Sequence, residues 1–176
     1  VGFWGRTQDL ITFLPVTAYL YRATNFATVT SRGVEASGDA APWPRLPVGV
    51  SYTFTDAWRQ ALPWAPLPNQ PRHRLELDAA LDLRRIDWLG DWPRLRLEAR
   101  AAWRSRIALD SFDSRSNPAW WRVDVGLAAS PWTWLTGRCD LNNLLDYQRA
   151  VDGLQRPLPG RSLFCSIQLQ RRRPQD

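Results

Sequence analysis

Between residues 94 and 106 the chain reads RLRLEARAAWRSR. The even positions are Arg94, Arg96, Glu98, Arg100, Ala102, Arg104 and Arg106. The odd ones are Leu95, Leu97, Ala99, Ala101, Trp103 and Ser105. Extended backbone points alternate side chains to opposite faces, so a strand here parts charge from hydrocarbon completely. A helix, turning about 100° per residue, would scatter the same apolar groups around its circumference. The helix propensity of LEARAA is good, but the pattern outranks it, and the segment is predicted as a strand. Residues 72–84 repeat the alternation, with Leu75, Leu77, Ala79, Leu81 and Leu83 against Arg74, Glu76, Asp78 and Asp82. The turn residues Gly90 and Asp91 lie between the two segments. A hairpin centred near residue 89 would set Leu83 beside Leu95 and Leu77 beside Ala101. It would also set Asp82 beside Arg96 and Asp78 beside Arg100, opposite charges on one face.

The same reading along the chain gives eight strands, at about 2–13, 24–38, 48–57, 72–84, 94–106, 120–129, 132–142 and 161–170. Short connectors (41–47, 86–92, 130–132) alternate with longer ones (14–23, 58–70, 107–118, 143–159). Prolines at 41–47 and 58–70 mark those stretches as a turn and a loop without regular ladders. The expected fold is all-β, an antiparallel meander.

Two architectures accept such strands: a soluble sandwich or barrel, with its apolar face inward, and a transmembrane barrel, with that face on lipid and a wet lumen. Strands of about 10 residues, tilted about 45°, match the height of an outer-membrane apolar band. The eleven tryptophans gather near strand ends. Trp43, Trp88, Trp92, Trp132 and Trp134 stand at the short turns, and Trp58, Trp64, Trp103, Trp120 and Trp121 toward the long loops. Two aromatic belts are what the two interfaces of a bilayer select. The transmembrane barrel is therefore the expected architecture.

Composition adds little more. The 176 residues carry a net charge of +6, with every basic residue an arginine. Arginines interleaved with acids disfavour a nucleic-acid surface, and the one basic block is Arg171–Arg173 in the 171–176 tail. No run of apolar residues is long enough for a transmembrane helix. No Met occurs and residue 1 is Val, so the chain reads as a processed protein or a piece of a longer one. His73, the single histidine, sits between arginines and is expected at the surface or in a loop rather than in catalysis. Cys139 and Cys165 lack metal-ligand spacing and share the apolar phase of adjacent strands; two lipid-facing thiols are expected. No metal or cofactor is expected, and no catalytic constellation stands out.

From Phe3 to Gln170 the chain resembles the C-terminal part of the β-barrel of TonB-dependent outer-membrane receptors. RTQDLITF is similar to a strand-to-loop segment of that family. SRGVEAS resembles its "rGvE" through Gly33, Val34 and Glu35, and VSYTFTDA its "sYtytdA". PRHRLELDAAL and WRVDVGLAAS resemble two strand starts. DLNNLLD carries the "NLfD" box through Asn143, Leu144, Leu145 and Asp146, and PGRSLF carries "pGRtf" through Pro159, Gly160 and Arg161. The chain departs from the family at Tyr147, which follows Asp146 directly, and at its non-aromatic end. The resemblance implies the last eight strands of a barrel of about 22, which encloses a plug. It further implies a Gram-negative outer membrane and uptake of a ferric siderophore or a cobalamin driven by TonB. The implied partners are outer-membrane lipid, the plug, the remaining strands and TonB.

On that basis residues 1–170 form the barrel segment. Arg74, Glu76, Asp78, Asp82, Arg96, Glu98, Arg100, Arg104, Arg122 and Asp124 are expected to face the lumen, most of them as paired wall residues. Trp64, Trp120 and Trp121 are the aromatic candidates for ligand contact at the loops. The rival readings are a complete eight-stranded barrel acting as anchor or adhesin, and a soluble basic β-protein.

Overall fold

Alternating segments become strands when each can give one face to apolar neighbours and the other to charged ones. The computed structural model describes residues 1–17, 20–60, 62–83, 94–110, 112–132, 134–151 and 156–170. Its elements are β1 (Gly2–Pro15), β2 (Tyr21–Trp43), β3 (Leu46–Arg59), β4 (Leu62–Pro66), β5 (His73–Leu83) and β6 (Arg94–Arg104). There follow β7 (Ile107–Ala108), β8 (Ser116–Asn117), β9 (Trp120–Trp132), β10 (Leu135–Asn142) and β11 (Ser162–Leu169). One antiparallel sheet runs in the order β1-β2-β3-β5-β6-β9-β10-β11. The eight expected strands are these eight, in chain order.

The β5–β6 register is the expected one. Leu83 pairs with Leu95, Leu77 with Ala101, Asp82 with Arg96 and Asp78 with Arg100. The turn of that hairpin, with Trp88, Gly90, Asp91 and Trp92, lies outside the described residues, as does the 171–176 tail. Rungs of one character cross the whole sheet. Val48, Ala79, Ala99, Val125, Leu141 and Leu163 form one; Leu81, Leu97, Leu127, Cys139 and Cys165 form the next.

No second layer covers this apolar face among the described residues. Leu97 is 39% exposed, Leu127 46% and Ile167 77%. The buried apolar residues are Val29, Ile107, Ala108, Leu109 and Ala150, all near the loop-bearing rim. A water-soluble sheet would cover so large a face with helices or a second sheet. An uncovered apolar face of this extent is what the expected transmembrane barrel would turn to lipid. The closed small barrel fails, because β1 and β11 end the strand order unpaired with each other.

Several local expectations are corrected. β2 continues through residues 39–43, so the turn expected at 41–47 shrinks to Pro44 and Arg45. A register shift between Ala40 and Trp43 accommodates Pro42, which has no N–H for the ladder. Half of the connector expected at 14–23 is strand, since β1 runs to Pro15 and β2 starts at Tyr21. Residues 8–15 and 21–28 pair only with each other beyond the end of β3, a ribbon of about 25 Å. The proline-rich loop 58–70 contains β4, which meets β3 at Trp58–Pro66 and Arg59–Leu62 across a register shift. Loop 107–118 contains the β7–β8 hairpin. His73 starts β5, half-buried, with its Nδ1 2.7 Å from the Tyr52 hydroxyl.

Cys139 and Cys165 are joined in a disulfide, where free thiols were expected. They are direct cross-strand partners, with Cα atoms 4.1 Å apart. Sequence phase shows that they share a face; the ladder pairing shows that they stand opposite.

Two outcomes follow. Leu97→Arg would place a guanidinium at mid-height on the lipid face. In the intact protein refolded into lipid vesicles, denaturant titration should show a loss of about 2–4 kcal/mol. Replacing both cysteines by serine should cost about 3 kcal/mol in the same titration, from the loop-closure entropy the crosslink removes.

Candidate functional site

The opposite face is a lattice of ion pairs. Arg96 lies 3.8 Å from Asp82 and 2.7 Å from Glu98. Arg138 lies 2.8 Å from Glu98 and 2.7 Å from Asp140, and Arg122 lies 3.0 Å from Asp124. The line Asp82–Arg96–Glu98–Arg138–Asp140 therefore reaches from β5 to β10. Glu98 and Asp140 both pair with Gly126 of β9, so Arg138 must cross that strand to reach Glu98. A Cβ at Gly126 would stand 2.7 Å from Asp140 Oδ1 and 3.1 Å from Arg138 Nη2. The glycine is the passage for the guanidinium. At Gly49 the carboxylates of Asp78 and Asp39 lean in, 2.5 Å and 3.0 Å from where a Cβ would be. Arg100 stands in register between Asp78 and Asp124. These partly exposed pairs contribute about 0.2–1 kcal/mol each; their main effect is to leave few bare charges on the wall.

All ten charged wall candidates share this face by register, from Arg74 and Glu76 to Arg122 and Asp124. Sequence reasoning missed Arg138 and Asp140, although their phase in β10 was legible. It also missed the two glycines.

At the loop-bearing end of the same face the chemistry changes. Arg74 and Arg104 are direct partners, and Arg104 also pairs with Trp120. The Arg104 guanidinium lies 5.6 Å from the Trp120 ring centre. Trp120 in turn stacks on Tyr147 at 5.6 Å, with the rings 3° from parallel. Trp120 Nε1 and the Tyr147 hydroxyl are buried with no hydrogen-bond partner. Orphaned polar atoms of this kind are costly and call for an explanation. Trp121 turns to the apolar face, where its ring lies 6.4 Å from Trp103, so the two adjacent tryptophans do not form one site. The side chain of Trp64 lies outside the described residues.

The motif residues hold Tyr147 in place. Asn143 is buried, and its amide donates to the carbonyls of Tyr147 (3.1 Å) and Pro159 (3.0 Å). Its side-chain oxygen accepts the Tyr147 N–H at 3.0 Å, and its own N–H donates to Asp124 at 2.8 Å. The Leu144 N–H donates to the Val123 carbonyl. Asp146 accepts the Arg161 N–H at 2.8 Å and the Gln148 amide at 3.0 Å. Those two bonds, the Arg161 N–H foremost, hold its carboxyl below the usual carboxylate range. A Cβ at Gly160 would meet Gln148 and Asp146. Asn143 and Asp146 take φ near 51° and 52°, a left-handed conformation tolerated by short polar side chains. The two boxes, far apart in sequence, thus form one turn.

Other loops lock onto this one. Asn117 of β8 exchanges two hydrogen bonds with the Val151 backbone. Asp110 closes the loop before β8, accepting from Phe112, Ser114 and Arg115. Burial pushes the Asp110 carboxyl up, but these bonds together outweigh it and hold it below its usual value. Of the remaining motif residues, Gly33 is required by space, since a Cβ there would run into the Phe54 carbonyl and the Phe3 ring. Glu35 pairs with Thr53 on the charged face.

The family model described as TonB dependent receptor-like, beta-barrel matches residues 1–144. Among curated proteins none matches this chain. Among solved structures it is similar to BauA, the ferric preacinetobactin receptor of Acinetobacter baumannii, with TM-score 0.72, 17% identity, 94% of this chain covered and 26% of that one. A mutant of the ferric enterobactin receptor PfeA of Pseudomonas aeruginosa matches with TM-score 0.69 and 15% identity, over 96% of this chain and 28% of that one. The copper transporter OprC matches with TM-score 0.69 and 14% identity, over 96% of this chain and 27% of that one. The chain spans about a quarter of the length of these proteins.

Asn143→Ala removes the clamp on Tyr147. The intact receptor should lose about 1–3 kcal/mol, and limited proteolysis should cut the 148–158 loop faster.

Proposed function

Because this chain belongs to the β-barrel of TonB-dependent receptors and hence to the Gram-negative outer membrane, we propose that it supplies the last eight wall strands of a receptor importing a ferric chelate. Its apolar face meets lipid. Its ion-paired face lines the lumen around a plug carried elsewhere in the receptor, and TonB acts through that plug. The chain does no chemistry on its cargo; its relatives are receptors and transporters. Arg74, Glu76, Asp78, Asp82, Arg96, Glu98, Arg100 and Asp124 serve as wall, and the long loops and their rim bind.

The observation that carries the ligand reading is the column Arg104–Trp120–Tyr147. Its guanidinium lies near Arg74 and Arg122, so it favours an anionic ligand. Its stacked rings offer an aromatic surface beside that charge. Ferric chelates with anionic aromatic arms combine these properties. Two of the similar structures carry ferric chelates in their names, which supports that class over cobalamin.

The test is equilibrium binding of a ferric tris-catecholate, and separately of cyanocobalamin, to the intact receptor. Arg104→Ala and Trp120→Ala should each weaken the ferric chelate about ten-fold, the loss of one cation–π or charge-assisted contact. Unchanged affinity in both variants, or binding of cobalamin alone, overturns the reading.

A further inference from the structure

The lipid-facing side is not apolar to its top. Moving toward the loop-bearing rim, its rungs read Val50–Leu77–Ala101–Val123, then Tyr52–Leu75–Trp103–Trp121, then Phe54–His73. The next rung of the same phase is Arg32–Asp56, and the one above it is Arg6–Thr30–Trp58. The aromatic rung marks the edge of the hydrocarbon. Two further rungs are about 13 Å of strand, or about 10 Å of height at a tilt near 40°. Lipid headgroups occupy that depth.

At this level the charges do not balance. Arg32 lies 3.1 Å from Asp56, and Arg72 lies 3.5 Å from the other oxygen of the same carboxylate. Both guanidinium groups are largely open, with side-chain exposures of 63% and 70%. Arg32 is further steadied over the Trp58 ring at 5.3 Å. Arg6, one rung away, donates to Gln60 at 3.2 Å, and Trp4 stands beside Arg32 with 69% of its surface exposed. Two guanidinium groups thus share one carboxylate, and a third, Arg6, stands one rung above them on the Gln60 amide. On the lumen side, by contrast, Arg96 and Arg138 each contact two carboxylates. A cation pair oriented by one shared carboxylate is a pre-arranged anion fork, and arginine suits phosphate by its planar geometry.

We propose that Arg32 and Arg72, oriented by Asp56 and Trp58 and flanked by Arg6, bind the phosphate group of an outer-leaflet lipid on the outside of the barrel. The site takes a phosphorylated headgroup whose acyl chains run down the Tyr52–Trp103–Trp121 face. It is independent of the cargo site, which lies on the other face of the sheet.

The experiment uses the intact receptor in detergent, incubated with bis-phosphorylated lipid A or with the same lipid stripped of both phosphates. Bound lipid is read by native mass spectrometry. The wild type should retain the phosphorylated lipid, and the double variant Arg32→Gln, Arg72→Gln should bind it about ten-fold more weakly. Arg45→Gln removes one charge at the opposite rim and should change nothing. Arg72→Gln alone, in an exposed bend, should give about a three-fold loss and serves if the double variant does not fold. Equal retention by the double variant and Arg45→Gln overturns the proposal, as does equal retention of the stripped lipid. Binding of a ferric tris-catecholate by the same variants should be unaffected, which separates failure here from failure of the cargo reading.

Discussion

Hydrocarbon tolerates neither an unpaired backbone amide nor a bare charge, and that intolerance organises the wall. Continuous antiparallel ladders satisfy the amides of the strands between the two edges, β1 and β11, and the inward amides of those edges. Strict alternation satisfies the charges. Sliding β6 by one residue would turn Arg96, Glu98 and Arg100 outward together, at about 2–4 kcal/mol for each arginine at mid-height. The ion pairs on the inner side contribute far less, about 0.2–1 kcal/mol each. The division between two solvents therefore decides the register, and the ion pairs only refine it.

Above the bilayer that constraint lapses, and a different economy takes over. There the polar groups bond to one another in turns rather than along ladders. Asn143, Asp110 and Asn117 each tie two or more backbone groups, and Asp146 ties the Arg161 N–H and the Gln148 amide. These few side chains convert long connectors into defined shapes. They bring Tyr147 against Trp120 and so set an aromatic and cationic column on the wall.

What could be read from residue order follows the same line. Where one face meets hydrocarbon, period-two alternation is enforced, and the β5–β6 pairing was legible to within two residues, with the observed register at the centre of that range. β2 was not, because Gly38, Asp39, Ala40 and Ala41 look like a loop until β3 is laid beside them. The Cys139–Cys165 link was hidden for the same reason: phase gives the face, and only an observed pairing gives the opposite residue. The Trp120–Tyr147 stack depends on left-handed backbone at Asn143 and Asp146, which no periodicity announces. The family boxes flagged those positions without saying what they hold.

The gap at Gly126 makes β9 a keyed part. Shifted along its axis by two residues, β9 would present Asp124 or Ala128 where the Arg138 side chain now passes. Either side chain would plug the opening and cut the tie between β6 and β10, strands with no ladder of their own in common. A missing methyl group thereby lets two non-neighbouring strands detect a mis-seated one between them, an alignment check built into the sheet.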